Sequence, residues 1–481
     1  MRRKASYLLL VCLTGCFAAS SFGQEKPAAP HVFKAGAATS NITPPLGMEI
    51  VGNFAPRPIA SHVHDELHVR CLALDDGTTK LLFAVADTLS LGRDVWDEAK
   101  HKVEAATGIP TANMMFSATH THSSVSAITN KDPSLNYRQF VIARIADGVQ
   151  RAVSNLEPAR IAWGTGRVPQ HVFNRRWLLK DGLIEMNPFG GQDRAVMNPS
   201  SLLRARLLKP AGPTNPEVYC LSVQTVDGRQ IALMANYWLH YVGGVPREHL
   251  SADYFGEFCR RVEQLLGAER QEPPFVGILA NGPCGDVNNN DYSGKTPAVK
   301  REPYEKIKLV ANDLAQEVLK ARQTLKHQDW VPLKAAADQL ELAVRRPTSE
   351  MVARAEAILA RPKDASPMHR HEVAYAERTL AARDAKPDKI SAVIQAFRIG
   401  ELGIAAIPFE VFTEIGLEIK ARSPFADTFT IELANGSNGY LPTPAQHDVG
   451  GYETWLGTNR VEREASTKIV TQIMELLKRV R

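Results

Sequence analysis

Six short apolar runs punctuate this chain, and each empties into residues able to do chemistry. Residues 81–86 end at Asp87, and Met114-Met-Phe116 leads through Ser-Ala-Thr into His120-Thr-His122. Residues 231–239 end at His240, and 275–280 at Asn281-Gly-Pro-Cys-Gly-Asp286. Residues 402–407 end at Pro408-Phe-Glu410, and 429–433 at a Gly/Asn loop before Tyr440. Continuous apolar runs of this kind fit strands buried on both faces of a helix-covered sheet. Functional groups in such sheets collect beyond the carboxyl ends of the strands. The pattern predicts one site assembled from distant segments.

Helical patterns alternate with these runs. Residues 94–107 read as a helix stopped by Gly108 and Pro110, and 137–156 as another. From 303 to 390 the character changes. Ile307, Val310, Ala311, Leu314, Val318, Ala321 and Leu325 form a helical stripe, and charged, Ala-rich stretches follow at 348–361 and 369–384. This block predicts a helical insertion packed beside the sheet. Its His369 and His371 read as surface histidines, because i, i+2 positions on a helix diverge. The strand pattern then returns before a closing helix at about 463–479. The expected fold class is α/β, with central mixed β-sheets flanked by helices. The expected organisation is a segment 1–23, a linker 24–31 and one domain over 32–481 that includes the 303–390 insertion.

Composition narrows the class. A chain of 481 residues, 44% hydrophobic, can bury a large core. The 57 basic and 52 acidic residues are mixed along it, and no basic stripe favours a nucleic-acid partner. Met1-Arg-Arg-Lys4 followed by an apolar stretch reads as an export signal. Two readings of its end compete: cleavage after Gly23, which is preferred, or a lipobox ending at Cys16, whose lipidation would be the only route to membrane association. No later run has 18 apolar residues, so no spanning helix is expected. Cys71, Cys220, Cys259 and Cys284 are scattered without a Cys-x-x-Cys pair, which disfavours a structural zinc site built from them.

His120 and His122 carry the sharpest chemistry. In extended backbone, residues two apart face the same side, so both imidazoles can converge on one point at a strand end. Imidazole is a common zinc ligand, and such a pair needs only one or two more distant donors.

With these segments in view, the chain resembles the neutral/alkaline (non-lysosomal) ceramidase family. The resemblance rests on Ala35-Gly-Ala-Ala-Thr-Ser-Asn-Ile-Thr-Pro-Pro45, Phe116-Ser-Ala-Thr-His-Thr-His-Ser123, Asn174-Arg175 with Asn187-Pro188, Asn236 to His240 with Ser251-Ala-Asp253, Gly285-Asp286-Val287, Pro408-Phe-Glu410, and Asn438-Gly-Tyr440 with Tyr452-Glu453. It implies one zinc per chain held by His120, His240, Glu410 and Tyr440. It implies further that His122 faces the reacting carbonyl or water, that Tyr452 hydrogen-bonds at the scissile bond, and that Arg175 grips the polar end of the substrate. Asp87 and Asp253 are expected to orient the histidines. Zinc lowers the pKa of bound water from about 15.7 towards roughly 7, which suits attack on an amide carbonyl.

The chain departs from the family pattern in places. Where that pattern has Gly-Asp-Val/Leu-Ser-Pro-Asn, this chain reads Gly285-Asp-Val-Asn-Asn-Asn290, with Asn288 at the serine position. An amide cannot be a nucleophile, so covalent serine chemistry is excluded and zinc hydrolysis survives. Ser123-Ser-Val-Ser126 replaces the usual Ser-Gly-Pro-Gly, and the family's C-terminal β-domain has no counterpart. The expectation is an exported zinc hydrolase acting on a ceramide-like N-acyl amide, within sphingolipid or related lipid metabolism. The alternatives are the same cage acting on an ester, lactone or carbohydrate derivative, or a non-catalytic binding homologue.

Overall fold

Each apolar run is a strand whose two faces meet different neighbours. In Lys80–Ala86, Leu82, Ala84 and Ala86 pack against the helices Arg93–Thr107 and Tyr137–Ser154, while Leu81, Phe83 and Val85 face a second sheet. Side chains alternate along a strand, so both sets must be apolar, which is why the run is continuous. The computed structural model describes residues 31–52, 56–127, 136–297, 299–362 and 364–481. The expected signal segment with Cys16, and the linker up to residue 30, lie outside the described residues.

Residues 32–481 form one compact unit built of helices, two sheets and helices in layers. The larger sheet has eight strands in the order Val276–Asn281, Gln230–Tyr237, Glu217–Thr225, Glu157–Arg167, Lys34–Asn41, His68–Asp75, Lys80–Ala86 and Met114–Ala118. The pair at each edge is parallel and the intervening pairs are antiparallel, so the sheet is mixed. The smaller sheet runs Leu333–Ala343, Lys389–Ile399, Leu402–Ala406, Asp427–Ile431. A shared core lies between the two sheets, with Phe83, Met115, Tyr219 and Met234 on one side and Phe397, Ile404, Phe429 and Ile431 on the other. Helices Asp253–Leu266 and Glu305–Arg322 cover the outer face of the large sheet, and Thr413–Arg422 and Ala465–Val480 that of the small one.

The segment after Asp427–Ile431 brings the far ends of the large sheet together. Glu432 N donates to Asn281 O at 3.1 Å, and Asn435 N to Phe116 O at 2.7 Å. Asn281 and Phe116 belong to opposite edge strands, so this short bridge curls the sheet and draws their loops to one place.

The 303–390 block differs from the helical insertion expected of it. Glu305–Arg322 is part of the core, burying Ile307, Val310, Ala311, Leu314 and Val318 against the sheet and its neighbouring helix. Leu333–Ala343 is a strand, although its Ala, Leu, Glu and Gln favour helix, because eleven residues pair with Lys389–Ile399; tertiary pairing overrides propensity. Only Ser349–Leu359 and Glu372–Asp384 make the peripheral helical excursion. His369 and His371 lie in the turn before the second of these rather than on it, and His369 packs edge-on to Trp455 at 5.5 Å.

Candidate metal centre

Strand Met114–Ala118 ends in a loop in which His120 adopts φ 70°, a left-handed conformation costly for a residue with a Cβ. It is held there by His120 N donating to Thr88 O (2.9 Å) and by Thr121 Oγ1 donating to Ser251 O (2.7 Å). His240 follows Gln230–Tyr237. Glu410 and Tyr440 are register partners in a two-stranded parallel ribbon, which sets their side chains next to each other.

These segments bring four donor atoms together. His120 Nε2 lies 3.1 Å from His240 Nε2, 3.3 Å from His122 Nε2 and 3.3 Å from Glu410 Oε2, and His240 Nε2 is 4.0 Å from Glu410 Oε2. His120, His122 and His240 form the one group of metal-capable His, Cys, Asp or Glu side chains found among the described residues. His120 and His240 are buried and Glu410 nearly so. The outer ring nitrogens are committed: His120 Nδ1 bonds Leu89 O at 2.8 Å and His240 Nδ1 bonds Cys284 O at 3.2 Å. A carbonyl only accepts, so each Nδ1 carries a proton and each Nε2 turns a lone pair toward the centre.

Electrostatics agree with a site made for a cation. Burial, with His120 and then Arg175 adding to it, holds the pKa values of His122 and His240 well below the ordinary value, so both rings are neutral. Burial acts against protonation of His120 too, but Glu410 outweighs it and raises its pKa. Glu410 itself is lowered: burial pushes up, and His120, Tyr440 and Arg175 pull down more strongly. Tyr440 is held well above its usual value by burial despite Arg175, so its phenolate form needs a cation beside it. Tetrahedral ligands at bonds of about 2.0–2.2 Å stand roughly 3.3 Å apart; His120 lies near that spacing from His240 and Glu410, while His240 and Glu410 stand wider, at 4.0 Å. The donor set of imidazoles, one carboxylate and one phenol suits zinc.

Other expected residues are placed differently. Arg175 is buried and already committed, its Nε donating to Glu453 Oε1 and its Nη2 to Tyr440 Oη, both at 3.0 Å. These bonds hold Tyr440 against Glu453. Neither aspartate bonds a histidine ring. Asp87 accepts from Arg70 Nη1 and His68 N, because a guanidinium on the adjacent strand offers it a full charge. Asp253 accepts from Val242 N, Gly243 N and Tyr254 N, fixing the loop after His240 instead of its ring. Asn288 spends its amide on Asn198 Oδ1 and Tyr292 Oη, each at 2.8 Å, and accepts from Asn290 N. Tyr452 stands edge-on to Tyr440 at 5.8 Å and lines a cavity of about 300 Å³ with Trp455, Met186, Met197 and Asn198. A larger cavity, about 600 Å³, is lined by Asp65, Arg70, Asp253 and Lys308; none of His120, His122, His240, Glu410 and Tyr440 lines either cavity.

Three supporting residues escape a sequence reading. Glu453 is fully buried and joins Arg175 to Arg176. The Tyr241 ring stacks on His122 at 3.8 Å. Glu432 backs Cys284, whose carbonyl bonds His240 Nδ1: its Oε2 accepts from Val411 N (2.7 Å) and Cys284 N (3.2 Å), and its Oε1 lies 3.0 Å from Cys284 Sγ. One carboxyl thus braces the loops carrying His240's partner and Glu410. Adjacency in sequence to Tyr452 was the signal for Glu453; Glu432 had none, being a polar residue inside an apolar run.

No protein-family model and no curated protein matches the chain. Among solved structures it is similar to neutral ceramidase from Pseudomonas aeruginosa, with a TM-score of 0.70 and 16% identity over 94% of this chain and 75% of that one. It is also similar to a ceramidase complexed with C2, with a TM-score of 0.68 and 14% identity over 93% and 75%. Likeness at this identity establishes the fold, which is that of the neutral ceramidases.

Proposed function

We propose that this chain, which has the neutral ceramidase fold, is an exported zinc-dependent hydrolase that cleaves the C–N bond of an N-acyl lipid amide, ceramide or a relative of it. The convergence of His120, His240 and Glu410 on one point carries the reading. His120, His240, Glu410 and Tyr440 would hold one zinc ion. Zinc supplies Lewis acidity there, polarising a carbonyl oxygen and lowering the pKa of water towards about 7.

The chain's own groups supply the rest. Neutral His122, fixed by its stack on Tyr241, accepts a proton at Nε2 from the attacking water and returns it to the leaving nitrogen as the C–O bond forms and the C–N bond breaks. The Tyr452 hydroxyl donates to the carbonyl oxygen as it gains charge. Arg175, anchored on Glu453, donates to Tyr440 Oη and keeps that phenol turned inward. Asn288 orients the loop through Asn198 and Tyr292 and takes no part as a nucleophile. The basic and apolar N-terminal residues support export, and no helix among the described residues is long and apolar enough to cross a membrane.

Metal analysis of the purified protein with hydrolysis of an N-acyl amide series tests this. One zinc per chain and amide cleavage lost on chelation are expected. A zinc-loaded protein that cleaves no amide in the series, or a protein that takes up no zinc, overturns it.

A further inference from the structure

Exposed apolar side chains gather around the mouth of the cavity beside Tyr452. Met186, Ser200 and Arg370 line that cavity and are exposed, so they mark its opening, while Asp193, Ala195 and Gly451 are buried at its floor. Around the opening stand Ile184, Met186, Leu202 next to the lining residue Leu203, and Met368 next to the lining residue His369. Leu202 is 90% exposed and Met368 59%. A single exposed apolar side chain is ordinary, but a ring of them round one opening marks a surface that something covers.

Hydrogen bonds and packing hold these segments in one rim. Arg206 Nη1 donates to Glu185 Oε1 at 2.6 Å and its Nη2 to Ile184 O at 3.1 Å, which fastens the turn Ser201–Arg206, with Leu202, to the Ile184 segment. Arg354, on helix Ser349–Leu359, reaches Met368: its Nη2 lies 3.9 Å from the Met368 Sδ. Its guanidinium carbon also stands 2.8 Å from where a Cβ on Gly190 would be, which ties it to the loop after Met186.

The charge of the rim has a sign. Arg204, Arg354 and Arg370 make no ion pair among the described residues. The neighbouring acids are engaged: Glu185 with Arg206, and Asp181 with Arg194 at 3.9 Å. Asp193 is buried and accepts from Trp455 Nε1 at 2.7 Å and Asn187 Nδ2 at 3.1 Å. Apolar side chains flanked by unpaired arginines suit a surface of anionic lipid, the former entering the acyl boundary and the latter meeting phosphates. A protein seated on this rim would shut the cavity it surrounds, whereas a lipid surface can deliver into it.

Resting on the hydrolase reading above, we propose that this rim seats the protein on an anionic lipid surface, so that a membrane-held amide enters the cavity through its exposed mouth. Tyr452 joins the cavity to the donor cluster, its ring standing 5.8 Å from that of Tyr440.

Sedimentation with phosphatidylcholine vesicles, with and without phosphatidylglycerol, tests this. Wild type should bind the phosphatidylglycerol vesicles more tightly, and salt should weaken that binding. Leu202→Asp combined with Met368→Asp should lower the partition coefficient about tenfold or more, the range for a leucine-sized side chain that no longer leaves water. Arg204→Gln combined with Arg370→Gln should lower it about tenfold on phosphatidylglycerol and leave it unchanged on phosphatidylcholine alone. The N-terminal segment is the same in every variant, so these differences report the rim. The zinc-loaded Leu202→Asp, Met368→Asp protein should cleave a short, water-soluble N-acyl amide as fast as wild type. A long-chain amide embedded in phosphatidylglycerol vesicles it should cleave about tenfold more slowly. Rim variants that bind vesicles like wild type overturn the inference, as does a wild type indifferent to phosphatidylglycerol, and both leave the hydrolase reading intact. Equal slowing on the two amides places these residues in the reaction itself and overturns it too. Vesicle binding lost in the variants, with no amide cleaved by any of them, sustains the docking surface while the hydrolase reading falls.

Discussion

His120 Nε2 and His240 Nε2 face each other at 3.1 Å, each with its Nδ1 proton given to a backbone carbonyl. Two lone pairs at that separation repel unless something positive lies between them. Burial opposes protonation of His120 and Glu410 favours it more strongly, raising its pKa, so a proton competes with a metal ion for that place. Metal binding must displace it. Zinc affinity should therefore weaken as the pH falls and His120 becomes protonated. His240→Ala and Glu410→Ala should each weaken zinc binding by about a hundredfold or more, the order expected for losing a ligand when even supporting residues cost 10–100-fold. Competition with a chromophoric chelator at several pH values, with circular dichroism as a check on folding, measures both.

His122 sits as close to His120 as Glu410 does, 3.3 Å in each case, so distance alone does not separate ligand from proton carrier. The resemblance assigns it to the proton. His122→Ala should then keep its zinc and lose turnover by about 10²–10⁴-fold, the range for removing a general acid–base. Metal content that falls in step with activity would make His122 a ligand instead.

Glu432 is pushed up to about 8 by burial, so at neutral pH it is largely the neutral acid. A glutamine is close to that form in shape and can place its NH₂ against Cys284 Sγ and its oxygen under Val411 N and Cys284 N. Glu432→Gln should leave zinc affinity near wild type. Glu432→Leu strands two buried N–H groups, at about 1–3 kcal/mol each, and should reduce zinc affinity about 10–100-fold. Equal damage from both variants would show that the carboxylate charge, rather than its acceptors, is what the site uses.

The strands were legible because burial on both faces makes an apolar run, and the donors because they stand at the ends of those runs. His120, His240 and Glu410 indeed converge, and Tyr440 is placed beside Glu410 by register. Partners set by three-dimensional neighbours were not legible. Asp87 lies two residues beyond Val85, the cross-strand partner of Arg70, a pairing that no linear spacing announces. Leu333–Ala343 has a helical composition and becomes a strand only because Lys389–Ile399 lies beside it. The curl that brings opposite sheet edges together depends on two backbone hydrogen bonds from 432–435, and backbone donors look alike in every sequence.

Lys100 makes that curl pH-sensitive. Its buried Nζ donates to Asn435 Oδ1 at 2.6 Å, and Asn435 N in turn donates to Phe116 O, two residues before the strand ends at Ala118. Burial lowers its pKa from 10.5 to about 7. A lysine depressed in the folded state binds fewer protons there than in the unfolded chain between those two values, so folding stability rises with pH across that window. The contribution is complete above 10.5, is lost as the pH falls towards about 7, and is flat below. Lys100→Met removes the group that titrates. Urea unfolding at pH 7 and pH 9 should show wild type gaining on the variant by up to about 1.4 kcal/mol per pH unit. Parallel curves for the two proteins would mean that Lys100 stays protonated in the folded state and that Asn435, not deprotonation, accommodates its burial.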